Sequence, residues 1–88
     1  MKGIITVLGK DKVGIIARVC TFLSERQVNI LDISQTIVQG FFSMLMIVDL
    51  RADASFEQTV KEIQALGEAM GLEIKLQRED IFEAMHRI

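Results

Sequence analysis

A short turn, Gly9-Lys10-Asp11-Lys12-Val13-Gly14, lies between the apolar, strand-like run Ile4-Ile5-Thr6-Val7-Leu8 and a helical pattern that begins at Ile15. A tight strand-to-helix loop holding an Asp and two Gly residues leaves backbone N–H groups unpaired at a helix N-terminus, where the helix dipole favours negative charge. The chemistry on offer there is recognition of a small anionic ligand. Bond-making chemistry has less to work with. Phosphoryl or acyl-phosphate transfer needs a fixed Arg and a group that orients water, and the nearest Arg, Arg18, falls about a turn inside the helix. The single Cys20 sits on the apolar side of that helix, where a free thiol reads as core filling, and a metal carrier would need paired thiols in the loop. The only His, His86, is near the chain end and reads as a contact to a helix C-terminus, with Glu79-Asp80 as first-turn charges. No catalytic residue, metal site or cofactor is expected.

Positioning that loop requires a strand before it and a helix after it. Residues 2 to 8 are rich in β-branched types, with apolar side chains on both parities, as in a central strand covered on two sides. From about Lys12 to Gln27 the period changes to Ile15, Val19 and Leu23, with Ile16 and Cys20 beside them, an amphipathic helix for which Asp11 is the expected N-cap. Asn29 to Gln39 and Phe41 to Leu50 are extended, and Gln39-Gly40 between them suits a two-residue hairpin loop. That loop sets Ile37 opposite Phe42, Gln35 opposite Met44, Ile33 opposite Met46 and Leu31 opposite Val48. The other face carries Asp32, Ser34 and Thr36 but also Ile30, Phe41, Leu45 and Ile47, so a second covering layer is implied. Asp53 or Ser55 then caps a helix along Phe56, Val60, Ile63, Leu66 and Met70, which Gly67 weakens and Gly71 ends. Leu72 to Gln77 alternates as a strand with one wet face, and Ile81, Phe82, Met85 and Ile88 return to helical spacing. The order βαββαβ predicts an α+β, ferredoxin-like fold, a four-stranded antiparallel sheet with two helices on one face, plus a short C-terminal helix.

The bulk numbers narrow the function. A chain of 88 residues with 50% apolar and 6% aromatic content has room for one domain, residues 1–88, around an aliphatic core. A formal charge of −2 removes the electrostatic footprint of a nucleic-acid binder, and the first strand has no aromatic residue for base stacking. No apolar run reaches membrane-spanning length and no leader pattern precedes the first strand, so the expected location is cytoplasmic, which the lone cysteine fits.

With Asp11-Lys12-Val13-Gly14-Ile15-Ile16-Ala17 at the loop and opening turn, and Val28-Asn29-Ile30-Leu31-Asp32-Ile33 entering the second strand, the chain resembles an ACT domain. Its start, Ile4 to Asp11, its Asp32-Ile33-Ser34-Gln35-Thr36 and its ending Ile81-Phe82-Glu83-Ala84-Met85 are similar to the stand-alone ACT proteins of the UPF0237 family, over essentially the whole length. The resemblance implies a regulatory module that binds amino acids or other small molecules between two domains. Where the family often has Pro before the loop's final Gly, this chain has Val13, which removes a φ constraint.

An amino-acid site on these residues would place the α-carboxylate on the N–H groups near Lys12 to Ile15, approached over Gly14, with Asp11 and Asn29 holding the ammonium and the polar periphery. Ile30 and residues of a partner chain would line the side-chain pocket, and Asp32 is a further candidate. Each also has a structural reading: Asp11 as a cap, Gly14 as a close-packing position, Asn29 as a turn residue. A homodimer is expected from the half-apolar sheet face and the apolar terminal stripe, and a regulated protein target completes the picture. The alternatives are a ligand-free assembly subunit, with Met44 and Met46 as contacts if they face outward, and an enzyme, for which no residue asks.

Overall fold

A computed structural model describes residues 1–10, 14–51 and 55–79. The elements run β1 (Lys2–Lys10), α1 (Ile15–Glu25), β2 (Asn29–Val38), β3 (Phe41–Asp49), α2 (Phe56–Met70) and β4 (Glu73–Arg78). All pairings are antiparallel, in the order β2-β3-β1-β4. The expected ferredoxin-like arrangement is therefore present, with β1 and β3, each carrying apolar residues on both parities, at its centre. The terminal helix expected from Ile81, Phe82, Met85 and Ile88, together with the roles read for Asp80 and His86, lies outside the described residues, as does Asp53.

Local chemistry explains where the elements stop. Gln39 and Gly40 both take positive φ, 51° and 83°, the turn that matches strand twist in a two-residue hairpin, and Val38 duly pairs with Phe41. Ser55 caps α2 by accepting the Gln58 N–H at 3.2 Å. Gly71, at φ 70°, ends it, with the Leu72 N–H returning to the Gly67 carbonyl at 2.8 Å. Gly67 itself lies inside α2. A Cβ there would stand 3.0 Å from the Leu72 carbonyl oxygen and 3.1 Å from Ile74 Cγ1, so α2 approaches the start of β4 closely enough that a side chain would press on both.

One face of the sheet meets the helices. Ile5 and Val7 of β1, Phe42, Met44, Met46 and Val48 of β3 and Ile74 and Leu76 of β4 pack there against Ile15, Val19 and Leu23 of α1 and Ile63 and Met70 of α2. Met44 and Met46 are 1% and 0% exposed, so they are core side chains and not contact residues. Cys20 is half-buried and packed against the same core. Arg26 ties the helices together at the surface, forking onto Glu62 at 3.2 and 3.4 Å while its guanidinium lies 3.6 Å from the Phe22 ring centre.

Strand β2 departs from expectation in two ways. Leu31 does not face Val48: the ladder shifts between Ile30 and Asp32, so Ile30 pairs with Val48 and Asp32 with Ile47. A bulge at Leu31 reverses side-chain parity, turning Ile30 toward the helix layer, where it packs against the core. Moreover, the apolar face of β2 is not covered. Leu31, Ile33 and Ile37 are 50%, 40% and 62% exposed, because α1 and α2 pack over the other strands and β2 stands at the sheet edge.

Candidate functional site

The first half of the candidate site is the start of α1. Gly14 occupies the capping position at φ 86°, a left-handed conformation that most side chains resist. Asp11 is therefore not the N-cap: the helix begins later than its apolar spacing suggests, because Gly14 breaks helical φ one residue before Ile15. Having no side chain, Gly14 offers no side-chain cap to the opening turn, and its carbonyl accepts the Arg18 N–H at 3.0 Å. The N–H groups of Ile15, Ile16 and Ala17 precede that bond and point out of the helix end. Among the described residues, a Cβ on Gly14 would meet nothing within 4 Å, so this glycine serves conformation rather than close packing. The Ile15 side chain, 2% exposed, belongs to the core and leaves only its backbone for a ligand. Asp11, Lys12 and Val13 lie outside the described residues.

The second half is the start of β2. Asn29 is exposed at the first ladder position, opposite Asp49, and Ile30 follows, half-buried. Asp32 turns to the other sheet face, where its Oδ1 accepts the neighbouring Ile33 N–H at 2.9 Å. The bulge thus separates Asp32 from Ile30.

These halves do not meet within one chain. Gly14 precedes α1 and Asn29 follows it, and the intervening helix of 11 residues is about 16 Å long. One amino acid extends only about 3.8 Å along its backbone. Gly14 and Ile15 therefore form one cluster and Asn29 and Ile30 another, joined by the open edge of β2. That edge, with Leu31, Ile33 and Ile37, is the feature sequence reasoning missed. Its signal was available: β2 carries an apolar stripe through Leu31, Ile33 and Ile37, yet the βαββαβ order puts it outermost.

Concavities occur elsewhere among the described residues, one of about 270 Å³ beside Met1, Lys2, Arg78 and Glu79. A groove of about 310 Å³ runs between the helices, lined by Ala17, Arg18, Thr21, Phe22, Glu25 and Leu66. A second of about 260 Å³ lies on the sheet among Thr6, Leu8, Ser43, Leu45, Glu73 and Lys75. None of the three includes Gly14 or Asn29. Among the described residues, no group of three His, Cys, Asp or Glu side chains is arranged to hold a metal, and no helix is long and apolar enough to cross a membrane.

Residues 3–77 match the ACT domain. The chain belongs to the ACT domain family. Domains of this family are small-molecule-binding regulatory modules. The chain is 58% identical to a UPF0237 protein of Bifidobacterium longum, covering 99% of this chain and 98% of that one. The structure of an ACT domain protein from Streptococcus pneumoniae superposes with a TM-score of 0.86 at 42% identity, covering 98% of both chains. A putative glycine cleavage system transcriptional repressor also shares the fold, with a TM-score of 0.81 at 19% identity, the match spanning 86% of this chain and 45% of that one. The likeness to UPF0237 proteins read from the sequence is thus upheld over the whole length of the ACT chain.

Proposed function

We propose that this ACT domain is a non-catalytic regulatory module that works as a homodimer, binds an amino acid at the subunit seam and signals to a protein target in the cytoplasm. The observation that carries the reading is a helix start whose capping residue, Gly14, has no side chain, with no described residue near its missing Cβ. The second support is the separation of the two half-sites. A twofold axis beside β2 runs two edge strands antiparallel, so the Asn29 end of one chain lies beside the Val38 end of its partner. The loop before α1 belongs to that far end, since Lys10 pairs with Phe41 at the hairpin while Lys2 pairs with Asp49 beside Asn29. Each seam would then combine the Gly14 backbone of one subunit with Asn29 and Ile30 of the other, completing a site that neither chain holds alone. The ligand's carboxylate would lie on the N–H groups of Ile15 to Ala17, with Asp11 and Asn29 toward its ammonium and polar periphery.

Thermal unfolding of the protein against a panel of amino acids tests this reading. A binder present at a hundred times its dissociation constant adds about 2.7 kcal/mol. Asn29→Ala should remove the shift without loosening the dimer. An unmoved transition across the whole panel, with the dimer intact, would favour the second reading, a ligand-free assembly subunit, which the exposed Leu31, Ile33 and Ile37 also support.

A further inference from the structure

The outer edge of β2 turns a defined set of backbone groups away from the sheet. Antiparallel partners alternate between pairs that exchange two N–H···O bonds and pairs that exchange none, and a two-residue hairpin loop closes on a bonded pair. Counting back from Val38 and Phe41, the bonded pairs are Thr36 with Ser43, Ser34 with Leu45 and Asp32 with Ile47. Ile33, Gln35 and Ile37, opposite Met46, Met44 and Phe42, therefore aim their N–H and C=O groups away from β3. A separate observation agrees: the Ile33 N–H donates to Asp32 Oδ1 at 2.9 Å, on the exposed side of the strand. The outward set is closed at one end by the bulge at Leu31 and at the other by the turn at Gln39, whose φ is 51°.

Donors and acceptors along that stretch alternate in partial charge, and a copy of the same strand run antiparallel presents the complementary series. We propose that β2 pairs with β2 of a second copy in one register, with Gln35 opposite its own counterpart. Ile33 of each chain then faces Ile37 of the second copy, and every outward residue enters the ladder. A two-residue slip one way sets Gln35 against Ile33 and carries Ile37 onto the bulge at Leu31. The same slip the other way sets Gln35 against Ile37 and carries Ile33 onto the turn at Gln39. The matched isoleucines and the full ladder thus occur together only in the centred register. Ile33 and Ile37, 40% and 62% exposed in one chain, gain cover there, and the Ile33 N–H exchanges the Asp32 carboxylate for a carbonyl of the second copy. This register rests on the homodimer reading and fixes how the half-sites meet. Asn29 comes level with Gly40 and Phe41 of the second copy, and Phe41 pairs with Lys10, where β1 ends ahead of α1.

Filtered nuclear Overhauser spectra of a dimer mixed from labelled and unlabelled chains test the register. Ser34 and Thr36 form a non-bonded pair across the seam, with Cα atoms about 4.5 Å apart, so an interchain cross-peak between their α protons is expected. A Ser34–Ser34 or Thr36–Thr36 cross-peak in its place would overturn the register and leave the homodimer standing. A dimer with no interchain cross-peak on β2 would overturn the β2 seam itself, and a monomer at the same concentration would overturn the homodimer as well. Charge gives a second readout. The double variant Ile33→Lys, Ile37→Glu should dimerise about tenfold more tightly than Ile33→Lys, Ile37→Lys, because the register sets positions 33 and 37 face to face twice. Equal dissociation constants for the two would overturn the register.

Discussion

The side chain of Leu72 occupies the place that a side chain on Gly9 would need: a Cβ on Gly9 would come within 2.2 Å of Leu72 Cδ2. Gly9 pairs with Phe42 on the helix-facing side of β1, so Leu72, arriving from the turn after α2, closes the core just below the loop to α1. Gly9→Ala forces Leu72 off its rotamer and should cost about 1–3 kcal/mol, the usual range for overpacking. The double variant with Leu72→Ala should lose less than the sum of the two single losses, because each substitution relieves the other. Urea unfolding of the four proteins measures the coupling, and strict additivity would mean that the contact carries no energy.

Gly14 makes the opposite case. No described residue lies near its missing Cβ, so the expected cost of Gly14→Ala is backbone strain, about 1 kcal/mol at φ 86°. Gly14→Asn should lose less, since Asn tolerates the left-handed region better. Calorimetry of both variants gives the order. A loss several times larger for either would show that packing, not conformation, governs the position.

Lysine on the outer strand separates association from folding. Ile33 and Ile37 are 40% and 62% exposed in one chain, so Ile33→Lys and Ile37→Lys should change its stability by no more than about 0.5 kcal/mol. A charged edge resists strand pairing between chains. Sedimentation should move from dimer to monomer at micromolar concentration while circular dichroism stays the same. An unchanged sedimentation coefficient would place the seam elsewhere.

Much of this architecture was legible in the residues. The stripe Ile15, Val19, Leu23 placed α1, the Gln39-Gly40 pair set the hairpin register from Ile33 to Ile37, and alternation from Leu72 to Leu76 separated the buried from the wet face of β4. These features are local: each depends on a periodicity or a turn within a few residues. Residue type also singles out the residues of the proposed half-sites, Gly14 beside a helix start and Asn29 at the head of a strand.

What the chain's pattern left undecided lies where two neighbouring arrangements bury similar apolar groups. Ile30, Leu31 and Ile33 are all aliphatic, so alternation admits either Leu31 or Ile30 opposite Val48. The bulge chooses Ile30 through contact with the core, a contact that exists only once the helix layer is in place. Likewise, the apolar residues of β2 read as core until the positions of α1 and α2 leave them uncovered. Sequence determined which segments form strands and helices, because that is set by short-range periodicity. Tertiary structure alone decided which side chains remain in water and that Gly14 and Asn29 stand a helix length apart, because burial depends on which elements pack over which strands.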